Sequence, residues 1–132
     1  MKHITSLLAA PGATVAVVGA TDNVHKYGAR IYRDLKRKGF PVYAVNPNRE
    51  TVDGDPAYAS LSDLPSRATV IDFVVAPDQT LDVLEQALDL GYTDVWIQPG
   101  AESARVVEYL DDHHFNYLVG ACIMVSAPLP TA

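Results

Sequence analysis

Cysteine is nearly absent from this sequence, basic residues are scarce, and no apolar run is long. A single cysteine, Cys122, among 132 residues excludes an internal disulfide and favours a reducing compartment, so we expect a cytoplasmic protein. Ten basic residues face 16 acidic ones, and the net charge of −6 disfavours binding to nucleic acid phosphates. No apolar run approaches the roughly 20 residues that cross a bilayer, so we also expect no association with a membrane.

The N-terminus lacks the features of a signal peptide. Its apolar centre, residues 7–10, is shorter than the roughly 7–15 residues of a signal core, and Lys2 is a weak charged region before it. We therefore expect a soluble, unprocessed chain in which residues 1–12 form a short helix that ends at Pro11 and Gly12 and packs on the rest.

Also missing is the G-x-G-x-x-G fingerprint of dinucleotide-binding domains. In VAVVGATDNVHKYG, residues 15–28, an apolar run leads into a glycine, a polar loop and a helix, but after Gly19 the next glycine is Gly28. Backbone N–H groups near Tyr27 would still point at an anion from the start of that helix, and Lys26 would add a charge. Gly19 would let a ligand approach the backbone; the alternative is a tight turn with a solvated lysine.

Strand and helix signals alternate along the whole chain. Continuous β-branched apolar runs predict five strands, and amphipathic patterns predict three helices between them. This alternation predicts an α/β fold, a single Rossmann-like, doubly wound domain over residues 1–132 with a five-stranded, mainly parallel sheet in the order 3-2-1-4-5. The predicted strands are residues 13–19, 41–45, 70–75, 95–98 and 117–119, and the predicted helices are residues 28–38, 78–90 and 102–113. Gly39 is predicted to stop the first helix and Asp78 to cap the second, while residues 49–68 read as irregular.

Ligands of such sheets bind at the carboxyl ends of the strands, which places the expected site at residues 19–26, 46–49, 75–77 and 98–100. The second strand ends in Asn46-Pro47-Asn48-Arg49, which has a cation and no carboxylate to hold ribose hydroxyls. This disfavours NAD and suits a ligand with a phosphate on its ribose. NADP and coenzyme A both satisfy that condition.

No local pattern of catalytic or metal-binding residues stands out. His113 and His114 are adjacent, so their side chains leave a helix end on different sides and do not form a metal site. Cys122 has no neighbouring catalytic motif, and we expect a buried, inert thiol. Asp72 lies inside an apolar strand, where we expect a hydrogen-bonded partner and no catalytic role.

Several segments in order resemble the small bacterial and archaeal CoA-binding proteins, which are similar to the nucleotide-binding domain of succinyl-CoA ligase α subunits. These segments are VAVVGATDN, PVYAVNPN, VIDFVVAP, VWIQPG and CIMV, and the resemblance covers about residues 14–125. It implies a coenzyme A or acyl-CoA binding protein without catalysis of its own. It leaves a homo-oligomer or a protein partner open. The rival interpretations are an NADP-binding, reductase-like domain and a nucleotide-sensing regulatory module.

The resemblance also implies which residues contact the cofactor. The pyrophosphate would lie along Gly19, Ala20 and Thr21, with Lys26 nearby and Tyr27 at the helix start. The ribose 3′-phosphate would meet Asn46, Pro47 and Arg49, the adenine Val75, Ala76 and Pro77, and the pantetheine arm Gln98, Pro99 and Gly100.

Overall fold

A parallel sheet lies at the centre of the computed structural model, which describes residues 3–131. Within those residues the sheet has seven strands: β1 (Val15–Val18), β2 (Val42–Val45), β3 (Thr51–Val52), β4 (Asp55–Tyr58), β5 (Val70–Phe73), β6 (Asp94–Ile97) and β7 (Asn116–Val119). The helices are α1 (Ile4–Ala9), α2 (Tyr27–Lys38), α3 (Pro77–Asp89), α4 (Ala104–Asp112) and α5 (Ile123–Ser126), with a 3₁₀ turn at Leu61–Asp63. The predicted fold class is confirmed.

The strand order is β3-β4-β2-β1-β5-β6-β7, with all neighbours parallel except β3 and β4. This corrects the predicted five strands and their order. The predicted third strand, now β5, pairs with β1 and not with β2, because β4 takes the position outside β2. The sequence DPAY of β4 carries no apolar run, and its proline is tolerated because the strand lies near the sheet edge.

The sheet is covered on both faces, and each face has its own core. All four residues of β1 are buried, as expected for a strand with helices on both sides. Val15 and Val17 belong to the core under α1, α2 and α5, whereas Ala16 and Val18 belong to the core under α3 and α4. This burial holds the carboxyl end of β1 firmly between two helical layers.

The helix ends follow local capping rules. Gly39 ends α2 with a φ of 106°, as predicted. Ala76, not Asp78, is the N-cap of α3, because Pro77 occupies the first helical position, where its missing N–H costs nothing. The hydroxyl of Ser103 accepts from the backbone N–H of Val106 at 3.1 Å, so α4 begins two residues later than predicted.

The two ends of the described chain also carry helices. At the start, α1 packs against β5, β6 and β7, as expected for the N-terminal helix, although residues 1 and 2 lie outside the described range. After β7 the apolar tail turns into α5, so Cys122 stands at a helix N-cap and not in a strand. None of the helices between residues 3 and 131 combines the length and the apolar character needed to span a bilayer.

Candidate functional site

A cleft of about 1100 Å³ opens at the carboxyl ends of β1, β2, β5 and β6. The chain leaves β1 towards β2 and β4 on one side and returns to β5 on the other, so the loops after β1 and β5 diverge. Such a divergence creates the crevice in which open α/β sheets bind ligands. The cleft therefore lies where the sequence placed the site.

Most of the predicted site residues meet in the wall of this cleft. They are Gly19, Thr21, Lys26, Tyr27, Asn46, Pro47, Val75, Ala76, Gln98, Pro99 and Gly100. Three others lie elsewhere in the described part of the chain: Ala20 is fully buried behind the loop, Pro77 is the first residue of α3, and Arg49 pairs with Asp22.

Gly19 and Gly28 let three backbones come together at the base of the cleft. Gly19 has a φ of 104°, and a Cβ built on it would lie 2.6 Å from the carbonyl oxygen of Val74. A Cβ on Gly28 would lie 2.0 Å from the carbonyl oxygen of Gly19. These glycines are thus required by the packing of β1, α2 and the end of β5, since the Cβ of Gly19 would meet protein backbone.

The side chain of Asn46 connects two of the cleft's loops. Its Nδ2 donates to the carbonyl oxygen of Ala20 at 2.9 Å, and its Oδ1 accepts from the backbone N–H of Asn48 at 2.9 Å. The turn after β2 is therefore tied to the loop after β1. Asn46 shapes the corner at which the sequence predicted a ribose phosphate.

Positive charge in the cleft comes from Lys26, at the N-terminus of α2. Lys26 makes no ion pair with any residue from 3 to 131, and no side chain in that range caps α2. The first N–H groups of α2 and the Lys26 ammonium are thus available to an anion. Arg49 is different, because its guanidinium lies 3.6 Å from the Asp22 carboxylate.

A buried polar pair lies behind the β6 corner. Gln98 Nε2 donates to Asp72 Oδ1 at 2.5 Å, which confirms that the strand aspartate is paired. Burial raises the pKa of the Asp72 carboxyl to about 8, and the hydrogen bond from Gln98 offsets this only in part. Gln98 Oε1 accepts from the backbone N–H of Ile123 at 3.2 Å, so the pair also holds the start of α5.

Three parts of the wall were missed by sequence reasoning, and the first is the segment after β4, which contributes Ala59, Ser60 and Leu61. The face of α3 contributes Gln79, Asp82, Val83 and Gln86, whose i, i+3, i+4, i+7 spacing marks one helix face and was the available signal. The α5 region contributes Cys122, Met124 and Val125. Cys122 is only partly buried, which corrects the expectation of a buried thiol. Among residues 3–131, no three His, Cys, Asp or Glu side chains are grouped to hold a metal ion.

Comparison with known proteins shows which family this sequence resembles. Residues 13–128 match the family model described as a CoA binding domain. The acetate–CoA ligase (ADP-forming) II of Archaeoglobus fulgidus is 30% identical over 112 residues, which cover 76% of this chain and 17% of that protein. The alpha subunit of acetate–CoA ligase (ADP-forming) II of Pyrococcus furiosus is 36% identical over 62 residues, 46% of this chain and 14% of that one. The chain thus spans less than a fifth of the length of these relatives.

A solved structure also matches most of the chain. A conserved hypothetical protein from Pyrococcus furiosus superposes with a TM-score of 0.84 at 42% identity, covering 87% of this chain and 99% of that one. The family model and this solved structure each match most of the chain. The chain belongs to the family of CoA binding domains.

Proposed function

We propose that this chain is a single domain that binds coenzyme A, free or acylated, in the cleft and catalyses no reaction by itself. The observation that carries the proposal is the composition of the cleft wall. Asp82, on α3, is the one carboxylate among its described residues, and the turn after β2 presents Asn46, Pro47 and Asn48. Coenzyme A carries phosphates at the 3′ and 5′ positions of its adenosine. At the turn after β2 these phosphates would meet no acidic side chain of the cleft wall.

In this proposal the pyrophosphate lies at the N-terminus of α2. The loop at Gly19 and Thr21 leaves room for it, the uncapped N–H groups of α2 point at it, and Lys26 neutralises part of its charge. The adenosine lies between the turn after β2 and residues 74–76. The pantetheine arm runs past Gln98, Pro99 and Gly100 towards Cys122.

The absence of catalysis is inferred from the side chains that face the cleft. A nucleophile needs a base within hydrogen-bond reach, and Cys122 has no hydrogen-bonded histidine or carboxylate among residues 3–131. Asp72 is sequestered behind Gln98. We infer that any reaction of the bound thioester takes place on a protein partner in the cytoplasm.

The experiment is a calorimetric titration of the purified protein with coenzyme A, NADP and NAD under identical conditions. We expect coenzyme A to bind most tightly, because NAD relies on a carboxylate at the end of β2 and NADP has no pantetheine arm to extend towards Cys122. A reductase-like domain would bind NADP as well as or better than coenzyme A. That result would replace the proposal.

A further inference from the structure

One wall of the cleft is the α5 wall, which consists of residues 122–125. Its Cys122, Met124 and Val125 side chains line the cleft, and the Val125 side chain is 83% exposed. The helix it belongs to, Ile123–Ser126, has four residues, far fewer than an isolated helix needs to be stable in water. The wall therefore keeps its position through the packing of the buried Ile123 side chain and through hydrogen bonds to the rest of the protein.

Three hydrogen bonds attach the wall and the residue before it to the sheet and to α2. Trp96 Nε1 donates to the carbonyl oxygen of Ala121 at 2.8 Å, and Lys38 Nζ donates to the carbonyl oxygen of Met124 at 2.6 Å. The third is the bond from the backbone N–H of Ile123 to Gln98 Oε1, which lies at the N-terminus of α5 next to Cys122. Of the three anchors, Gln98 alone has a side chain in the cleft wall, within the described residues.

The hydrogen bond between Gln98 and Ile123 requires one orientation of the Gln98 side-chain amide. A backbone N–H can only donate, so the carbonyl end of Gln98 must face Ile123 and its NH₂ end must face the other direction. There Nε2 meets Asp72 Oδ1, and Asp72 is fully buried between Val17 of β1 and Trp96 of β6. Without an acceptor at residue 72, the Gln98 amide could reverse, place its NH₂ group against the Ile123 N–H and so lose its bond to the start of α5.

A carboxyl group at this position is not explained by packing. Val15, Val17 and Trp96 on the same face of the sheet are apolar, so the surrounding core does not itself call for a carboxyl group. Asp72 Oδ2 has no hydrogen-bond partner among residues 3–131, so burial of this group costs stability. Its Oδ1, by contrast, supplies the acceptor that the Gln98 amide requires.

We propose that Asp72 is a positioning residue for ligand binding, which acts through Gln98 to hold the α5 wall against the pantetheine arm of coenzyme A. The inference rests on the proposed function. Asp72 itself touches no ligand, because Gln98 lies between it and the cleft. The proposal assigns it an effect on the pantetheine end of the site and none on the adenosine end.

The test compares two ligands on four proteins by calorimetry. Coenzyme A reaches both ends of the site, whereas adenosine 3′,5′-bisphosphate has the adenosine end and no pantetheine arm. The proteins are the wild type, Asp72→Ala, Asp72→Asn and Ile71→Ala, which truncates the neighbouring buried side chain on the opposite face of β5. If the alanine variant does not fold, Asp72→Val takes its place, because a β-branched side chain suits a buried strand.

We expect Asp72→Ala to weaken coenzyme A binding by about tenfold, the effect of one buried hydrogen bond, and to change the affinity for the bisphosphate by less than about twofold. Asp72→Asn keeps an acceptor for Gln98 and should retain wild-type affinity for both. Ile71→Ala should lose stability without this difference between ligands. Three results would each overturn the inference. They are an equal loss of affinity for both ligands in Asp72→Ala, a selective loss of coenzyme A affinity in Ile71→Ala as well, and a coenzyme A affinity of Asp72→Asn as low as that of Asp72→Ala. A wild-type protein that binds neither ligand would instead refute the proposed function.

Discussion

Replacing Asp72 by asparagine should make the protein more stable at neutral pH. In the unfolded chain the carboxyl titrates near its ordinary value of 3.8, whereas burial raises its pKa to about 8 in the folded protein. Between these values the folded state holds a proton that the unfolded state has released. Unfolding then releases a proton, so this group lowers the free energy of unfolding as the pH rises.

The size of this loss of stability follows from the pH range between the unfolded and folded pKa values of Asp72. Each pH unit between about 4 and 8 removes about 1.4 kcal/mol from the free energy of unfolding, which amounts to about 4 kcal/mol at pH 7. Asparagine has no proton to retain, but its NH₂ group leaves two buried donors without a partner where the protonated carboxyl left one, at a further cost of about 1–3 kcal/mol. The variant should therefore exceed the wild type by about 1–3 kcal/mol at pH 7, with little difference near pH 5.

The assay is urea denaturation of both proteins at unit steps from pH 5 to pH 9. The difference between the two free energies of unfolding isolates residue 72, because the other titrating groups are common to both proteins. We expect the difference to grow in favour of asparagine up to about pH 8 and then to become constant, since the carboxyl is by then ionised in both states. A difference that stays constant from pH 5 to pH 8 would show that the native carboxyl is already ionised at pH 5.

Three further predictions concern the cleft itself. Gly19→Ala should lower the free energy of unfolding in urea by more than about 2 kcal/mol, because left-handed backbone strain adds to a clash with Val74. The control is Gly12→Ala, since Gly12 has a φ of 78° but open space around its Cβ; it should lose only the strain, about 1–2 kcal/mol. Equal losses in the two variants would contradict the clash. Lys26→Met should weaken coenzyme A binding about tenfold in calorimetry, because Lys26 lines the cleft. Arg37→Met, which removes a positive charge near the other end of α2 and outside the cleft, should hardly change the affinity. Similar losses in the two variants would point to an effect of net charge and not of contact. Dephospho-coenzyme A should bind about tenfold more weakly than coenzyme A, and equal affinities would mean that the 3′-phosphate faces solvent.

The sequence predicted the centre of the fold well because the signals there are local. The apolar run of β1 shows burial on both faces, and Gly39 marks the end of α2 by its need for a positive φ. β4 escaped prediction because Asp55 and Pro56 leave this short strand with neither the apolar pattern nor the full set of N–H donors of a central strand. The spacing of apolar residues along the sequence does not reveal such strands.

A rule about sheets predicted the position of the cleft, but the contacts within it depend on how the strands pair. Asp72 was expected to have a partner, yet Gln98 lies 26 residues away and meets it only because β5 and β6 pair with Asp72 opposite Trp96. Likewise Arg49 looked like a free cation, and its ion pair with Asp22 depends on how two loops fold together. Pairings of this kind follow from tertiary packing and leave no trace in local sequence.

The position of β1 between β2 and β5 also determines when the cleft can exist during folding. β1 meets β2 after one helix, but its other neighbour joins only when contacts such as Thr14 N–H to Thr69 Oγ1, 55 residues apart, have closed. Long loops of this kind close slowly and late. The loops after β1 and β5 face each other across the cleft only after that closure, so a partly folded chain offers a ligand half a site. We therefore expect coenzyme A to slow the unfolding of the folded protein without speeding its refolding, because the complete cleft forms only when that contact has closed.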